Sequence, residues 1–205
     1  MPVPGGYQSR RRSLNRDVPR LAYDTVIRGN TLVMGMTDDF GVIAAAITPR
    51  GKHGDVDFGA AFELLDYLCA AGVCGIAIFT SAGEYPAFST DERTRLLYLA
   101  AKRSRIPLFA GVGSTGLDAS LALARKARDA GAAGLLLPPP HFFRYPQEEI
   151  REFYLQFAAQ VGKGALTYLS NTPSVTSEIA VDTALELLAT GSFAGIEELR
   201  SCEAQ

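Results

Sequence analysis

One unit recurs along this sequence: a short apolar run, a polar or glycine-rich turn, and a stretch with apolar residues at helical spacing. The apolar runs begin near residues 42, 75, 107, 134, 165 and 193. They repeat about every 30 residues, the length of a strand, a return helix and two turns. Six strands alternating with five helices predict an α/β fold with a parallel sheet, because a chain that returns through a helix re-enters the sheet in the same direction by a right-handed crossover. Two architectures carry this signature, an open doubly wound sheet and an incomplete (β/α)8 TIM barrel. A complete barrel takes about 250 residues, whereas this chain has 205 and the pattern starts only after residue 36. As a barrel it holds about six strands and five helices and stops two βα units short, with two sheet edges left open.

The punctuation supports each unit. Gly41–Ile47 is a continuous apolar run closed by Thr48-Pro49, which predicts a strand buried on both faces. Asp55 and Asp57 open a helix carrying Phe58, Ala61, Phe62, Leu65 and Leu68, and Gly72 stops it. A second strand runs from Cys74 to Phe79. Ser89 with Glu92 forms a capping box for a helix that reaches about Arg103. A third strand is expected over Ile106–Ala110 and a helix over Leu117–Ala130, then a fourth strand over Gly134–Leu137 and a helix from Pro146 to about Val161. A fifth strand over Ala165–Leu169, a helix over Ile179–Ala189 and a sixth strand over Phe193–Ile196 complete the series. In such folds chemistry collects at the carboxyl ends of the strands. The residue just beyond the sixth strand is Glu197.

Residues 1–36 differ. They hold six Arg, no Lys and two Asp, with little periodicity, and are expected to be a basic, disordered N-terminal extension ahead of a partial barrel domain at 37–205. A targeting segment or upstream sequence before a start at Met36 are the other accounts of this stretch. A net charge of −2 gives no reason to expect nucleic acid or an anionic membrane as partner. No apolar run approaches the roughly 20 residues that span a bilayer. Cys69, Cys74 and Cys202 have no metal-ligand spacing, and the first two lie in or beside apolar runs, so buried free thiols in a reducing cytoplasm are expected.

Several constellations lie at the strand ends. Gly111-Val-Gly-Ser-Thr-Gly116 matches G-x-G-x-x-G between a strand and a helix. The acid that would take a ribose about 20 residues on is missing, because Leu135–Leu137 and prolines stand there, so a tight turn accounts for the glycines better than a dinucleotide does. Thr80-Ser-Ala-Gly-Glu84 leaves the second strand near a nucleophile-elbow pattern, with only His53 and His141 to serve as base. Ser81, Ala82 and Gly83 are alternatively a hydroxyl and N–H cradle for a substrate carboxylate, or a plain turn. His141 stands among Phe142, Phe143 and Tyr145, either in a site or in an aromatic subunit contact. Tyr168, Ser170 and Asn171 gather at the end of the fifth strand.

Taken in order, these residues resemble the dihydrodipicolinate synthase and N-acetylneuraminate lyase family of pyruvate-dependent aldolases, over about residues 40–197. Ala46-Ile-Thr-Pro49 ends the first strand, Thr80-Ser-Ala-Gly-Glu84 is similar to G-T-T-G-E, Asp91-Glu-Arg93 follows, and Ala110-Gly-Val-Gly-Ser114 ends the third strand. Pro140-His-Phe is similar to P-Y-Y, Asn171-Thr-Pro173 to Y-N-x-P, and Gly195-Ile-Glu197 to G-I-K. The resemblance implies a (β/α)8 barrel, usually a homo-oligomer, and chemistry on pyruvate or another 2-oxo acid through a lysine Schiff base without a cofactor. A tyrosine relays protons and a threonine pair holds the substrate carboxylate. A buried lysine suits imine formation because burial lowers its pKa.

Carried over position by position, the lysine position is Glu197 and the tyrosine position is Ser170, with Tyr168 two residues earlier. The threonine pair is Ser81 and Ala82, the second tyrosine of the turn is Phe142, and a carboxylate-binding arginine is Val175. The four lysines, Lys52, Lys102, Lys126 and Lys163, lie on loops, on helices or at the wrong strand end. Schiff-base chemistry is therefore not expected. The chain is expected to be an impaired or inactive lyase of this family, or a non-catalytic carboxylate-binding or regulatory relative. Two accounts of Glu197 are open: a real substitution in a divergent member or non-enzymatic relative, or one extra nucleotide near codon 197, which would explain Glu197 and an early stop together and make residues 197–205 unrelated to the family.

Overall fold

The computed structural model describes residues 24–28, 31–35, 41–162 and 166–198. The chain divides into two compact units, Met1–Asp39 and Phe40–Gln205. In the first, β1 (Asp24–Arg28) and β2 (Thr31–Gly35) pair antiparallel in register Asp24 to Gly35. That hairpin has no counterpart among the elements expected from the sequence. Met36, Lys163 and Cys202 lie outside the described residues.

The second unit is one sheet of six parallel strands: β3 (Ile43–Ala45), β4 (Gly75–Ile78), β5 (Leu108–Gly111), β6 (Gly134–Leu137), β7 (Leu166–Asn171) and β8 (Gly195–Glu198). Their spatial order is their sequence order. A doubly wound sheet reverses direction partway and so places helices on both faces. An order without reversal, with right-handed crossovers, puts every helix on the same face, the winding of a barrel. The fold is an incomplete (β/α)8 barrel. The helices α1 (Phe58–Ala70), α2 (Thr90–Arg103), α3 (Leu117–Ala130), α4 (Gln147–Val161) and α5 (Val181–Ala189) each pack on the next.

Local chemistry starts and stops these helices as the sequence indicates. The Asp57 carboxylate accepts from the Ala60 N–H at 3.0 Å. Ser89 and Glu92 close a reciprocal capping box, which satisfies two otherwise orphaned donors. Gly131, at φ 92°, ends α3 in the left-handed conformation that a side chain disfavours. Beneath the helices lies the main core, in which Ile76, Leu135, Leu137, Ile150, Phe157 and Leu169 are fully buried. Each such side chain contributes about 1.5–3 kcal/mol by leaving water. The opposite, inner face of the sheet carries a smaller cluster of Ala77, Phe109 and Leu136, with Tyr168 against it.

Two expectations fail at the first strand. The run Gly41–Ile47 is not a strand buried on both faces: only Ile43–Ala45 is strand, and Val42, Ile43 and Ile47 are 69%, 37% and 63% exposed. Among the described residues β3 pairs only with β4, so no described strand pairs with its outer edge. Cys74 is exposed rather than buried, because it precedes β4 beside that same edge, its N–H donating to Val42 O. Elsewhere β6 has its expected bounds and β4 is one residue shorter at each end, whereas β5, β7 and β8 lie one or two residues later than expected, so that β8 includes Glu197 and Glu198 rather than ending before them. Among the described residues no helix is long and apolar enough to cross a membrane.

Candidate functional site

A small cavity of about 10 Å³, room for one water, opens at the carboxyl ends of the central strands. Phe79, Thr80, Ser81 and Tyr85 line it from β4 and the turn after it, Gly111, Leu136 and Pro138 from β5 and β6, and Ser170 and Thr172 from β7. A second cavity of about 10 Å³ under α1 is lined by aliphatic side chains and Thr48 alone, and gathers no polar cluster.

The β4 wall begins with a strained turn. Phe79 at φ 55° and Glu84 at φ 51° both occupy the left-handed region, a cost of about 1–3 kcal/mol each that functional turns often carry. Between them the Gly83 N–H donates to Thr80 O and the Glu84 N–H to Ser81 O. The Thr48 hydroxyl donates to Gly83 O at 2.8 Å, tying the end of β3 to this turn. Ser81 thus faces the cavity, whereas Ala82 is exposed and the Gly83 N–H is spent inside the turn.

Behind that wall sits Arg93, 5% exposed. It donates to Gly113 O at 2.8 Å and to Gly111 O at 2.9 Å, and stacks over the rings of Tyr85 and Phe79. No carboxylate accompanies it in the ion pairs of the described residues. Burial brings its pKa down to about 10, so the charge persists at neutral pH without a local counter-ion. Backbone approach explains the glycines of the G-x-G-x-x-G stretch. A Cβ on Gly111 would lie 1.7 Å from Phe79 O, and one on Gly113 2.5 Å from the Pro138 ring. Those two glycines are needed for chain packing itself, as a tight turn requires.

The β7–β8 wall has the opposite character. Ser170 stands beside Glu197 in the sheet register, and its hydroxyl donates to Glu197 Oε2 at 2.6 Å. Burial pushes the Glu197 carboxyl up from its ordinary range, and the Ser170 hydrogen bond partly offsets that. Asn171, fully buried, donates to Ile179 O at 3.2 Å and to the Glu198 carboxylate, and accepts from the Ile179 N–H. It anchors the loop that follows rather than facing the cavity. Tyr168 lies two residues before Ser170 on the same face and packs edge-on against Phe109. Val175 is in the loop beyond, half-exposed.

His141 is partly buried with its ring on Tyr85, centroids 5.4 Å apart. Burial, then the nearby Arg93 charge, lower its pKa, which favours the neutral ring. Phe142 and Phe143 point outward, 82% and 64% exposed. Lys52 and Lys126 are exposed, Lys102 lies over the Tyr98 ring on α2, and among the described residues no lysine lines the cavity. No cluster of three His, Cys, Asp or Glu suited to a metal ion occurs among the described residues.

The sequence therefore indicated Ser81, Ser170 and Glu197, which come together here, and gave Tyr168 a place one step down the same strand. It did not single out Thr80, Tyr85 or Thr172, and noted Arg93 only as part of a motif. For Arg93 a signal existed: it occupies the buried stripe of α2 with Leu96, Leu97 and Ala100, where an arginine breaks the apolar spacing.

The sequence model of the Dihydrodipicolinate synthetase family matches residues 39–201. The 4-hydroxy-tetrahydrodipicolinate synthase of Azoarcus sp. is 34% identical over 161 residues, which cover 77% of this chain and 54% of that protein. The corresponding synthase of Bacillus subtilis is 32% identical, covering 74% of this chain and 53% of its own length. Among solved structures, dihydrodipicolinate synthase from Aquifex aeolicus superposes with a TM-score of 0.72 at 28% identity, covering 78% of this chain and 55% of that one. The 2-keto 3-deoxygluconate aldolase from Picrophilus torridus gives a TM-score of 0.73 at 28% identity, covering 77% and 57%. The chain spans about half the length of the curated relatives it matches.

Proposed function

The chain belongs to the dihydrodipicolinate synthetase family, and from that premise we propose that the strand ends around its cavity receive pyruvate or another small 2-oxo acid but do not form a Schiff base with it. Glu197 takes the lysine position and Ser170 the tyrosine position. The observation that carries this reading is the 2.6 Å hydrogen bond to Glu197 from Ser170, which lines a cavity that no described lysine lines. A carboxylate cannot condense with a ketone, and a serine hydroxyl is a far weaker acid than a phenol, so both the nucleophile and the proton relay of the aldolases are altered.

What remains is recognition and proton holding. Ser81 offers its hydroxyl to the acid's carboxylate, while Ala82 is exposed and the Gly83 N–H, spent inside the turn, adds no donor. Burial raises the pKa of Glu197, and in its protonated form its carboxyl donates to the ligand's carbonyl oxygen. Tyr168 supports Ser170 from below on the same strand face. The protein on this reading is an impaired lyase of the cytoplasm, assembled as a homo-oligomer. A second reading, a non-catalytic carboxylate-binding or regulatory relative, draws support from the same hydroxyl-lined cavity, since binding needs the donors but not the amine.

Calorimetry with pyruvate, paired with borohydride reduction and intact-mass analysis, tests the proposal. Saturable binding without a covalent adduct is expected. A reduced adduct would overturn the claim about Glu197, and absence of any binding would overturn the 2-oxo-acid assignment. Turnover of a bound 2-oxo acid decides between the impaired lyase and the binding protein.

A further inference from the structure

Three polar atoms around this site are buried and lack a hydrogen-bond partner: Tyr85 OH, Thr80 Oγ1 and Arg93 Nε. Tyr85 is 2% exposed and Thr80 5% exposed, and both line the cavity beside Ser170. A buried hydroxyl without a partner is destabilising, because its lost hydration is not compensated, and proteins retain such groups chiefly where something else completes them. The Tyr85 ring is fixed on several sides. It rests on His141 at 5.4 Å and under the Arg93 guanidinium at 5.2 Å. Gly113 leaves it the room, since a Cβ there would lie 2.9 Å from the ring carbons nearest the hydroxyl. A phenol held this firmly, with its oxygen unsatisfied at a cavity wall, is arranged to meet a ligand.

We propose that Tyr85 is a ligand-holding residue of this cavity, donating its phenolic hydrogen, with the Thr80 hydroxyl as second donor, to a carboxylate oxygen of a small anionic ligand. This deepens the reading above and rests on it for the ligand's 2-oxo group, though not for its charge. The charge preference comes from Arg93, whose uncompensated cation lies directly behind Tyr85 and Phe79 in a water-poor setting where its field is poorly screened. Burial pushes the Tyr85 phenol up to about 12, so at neutral pH it donates and does not act as a base. The position shows how a site without a tyrosine at residue 170 still presents a phenol to its ligand from the other wall.

The test is calorimetric titration of the full chain, of Tyr85→Phe and of Thr80→Val with pyruvate and with acetate at neutral pH. Tyr85→Phe removes only the unsatisfied oxygen and keeps every ring contact, so its thermal midpoint stays equal to or above that of the parent, and Thr80→Val behaves likewise. A hydrogen bond to a charged acceptor corresponds to about tenfold or more in affinity, and losses of that order in Tyr85→Phe, smaller in Thr80→Val, are the expected result. Pyruvate binding equal in parent and Tyr85→Phe overturns the role of Tyr85 while leaving the 2-oxo-acid reading intact. Acetate binding that Tyr85→Phe weakens, without pyruvate binding, supports Tyr85 and removes the 2-oxo-acid reading. Failure of the parent to bind either acid overturns both.

Discussion

The two walls of the cavity are built on opposite principles. The wall from β4, β5 and α2 holds a buried cation, Arg93, locked between two glycine carbonyls and two aromatic rings, with unpartnered hydroxyls in front. The wall from β7 presents Ser170, whose hydroxyl donates to the Glu197 carboxyl on β8, while the next residue, Glu198, bonds to Asn171 away from the cavity. On one side the charge lies deep and the donors face the ligand; on the other the charge itself stands at the strand end. On the proposed reading the difference implies an orientation, with an acid's carboxylate on the Tyr85 side and its carbonyl toward Glu197. An amine at 197 would face that same carbonyl, which is why the identity of one residue decides between imine chemistry and plain binding.

The walls should also differ in how they fail. Gly111→Ala produces the largest effect, because the new methyl would lie 1.7 Å from the Phe79 carbonyl oxygen; a loss of about 4 kcal/mol or more in denaturant titration is expected. Arg93→Met fills similar volume but leaves the Gly111 and Gly113 carbonyls without donors, and chemical unfolding should show a loss of about 2 kcal/mol. A loss near zero there would mean that desolvating the guanidinium cancels its hydrogen bonds, and the β4 wall would then be no better anchored than its neighbour. Ser89→Ala opens the capping box that starts α2 and should cost about 1 kcal/mol.

On the acidic wall the smallest change is expected, and in the other direction. Glu197 has a folded-state pKa raised by burial. The folded protein therefore binds this proton more tightly than the unfolded chain does, and the stability it contributes is present at low pH and lost as pH rises through the folded value. Glu197→Gln removes that loss. Its thermal midpoint should match the parent in acid and exceed it slightly at neutral pH, in melts run across that range.

The repeat of strand and helix was legible because each unit buries one apolar stripe against a continuous sheet, a pattern that spacing alone records. Spacing alone did not separate the barrel from the doubly wound sheet, since both winding schemes use the same units; the resemblance carried by the strand-end motifs pointed to the barrel, and the strand order bears that out. The exposure of β3 escaped for a related reason: Gly41–Ile47 has the composition of an interior strand, but burial depends on what pairs with its outer edge. In the site, Ser170 and Glu197 were legible as strand-end residues two strands adjacent. Tyr85 was not, because a tyrosine after a glycine turn has the same local signature whether its hydroxyl meets water, backbone or a ligand. Arg93 was half-legible, a charge standing on an apolar helical stripe.

The central claim, that residue 197 withholds the imine nucleophile from this cavity, is tested most directly by borohydride trapping with pyruvate on the parent chain and on Glu197→Lys, followed by peptide mapping. The account predicts an unmodified parent and a reduced adduct at position 197 in the variant. An adduct on any lysine of the parent would contradict it.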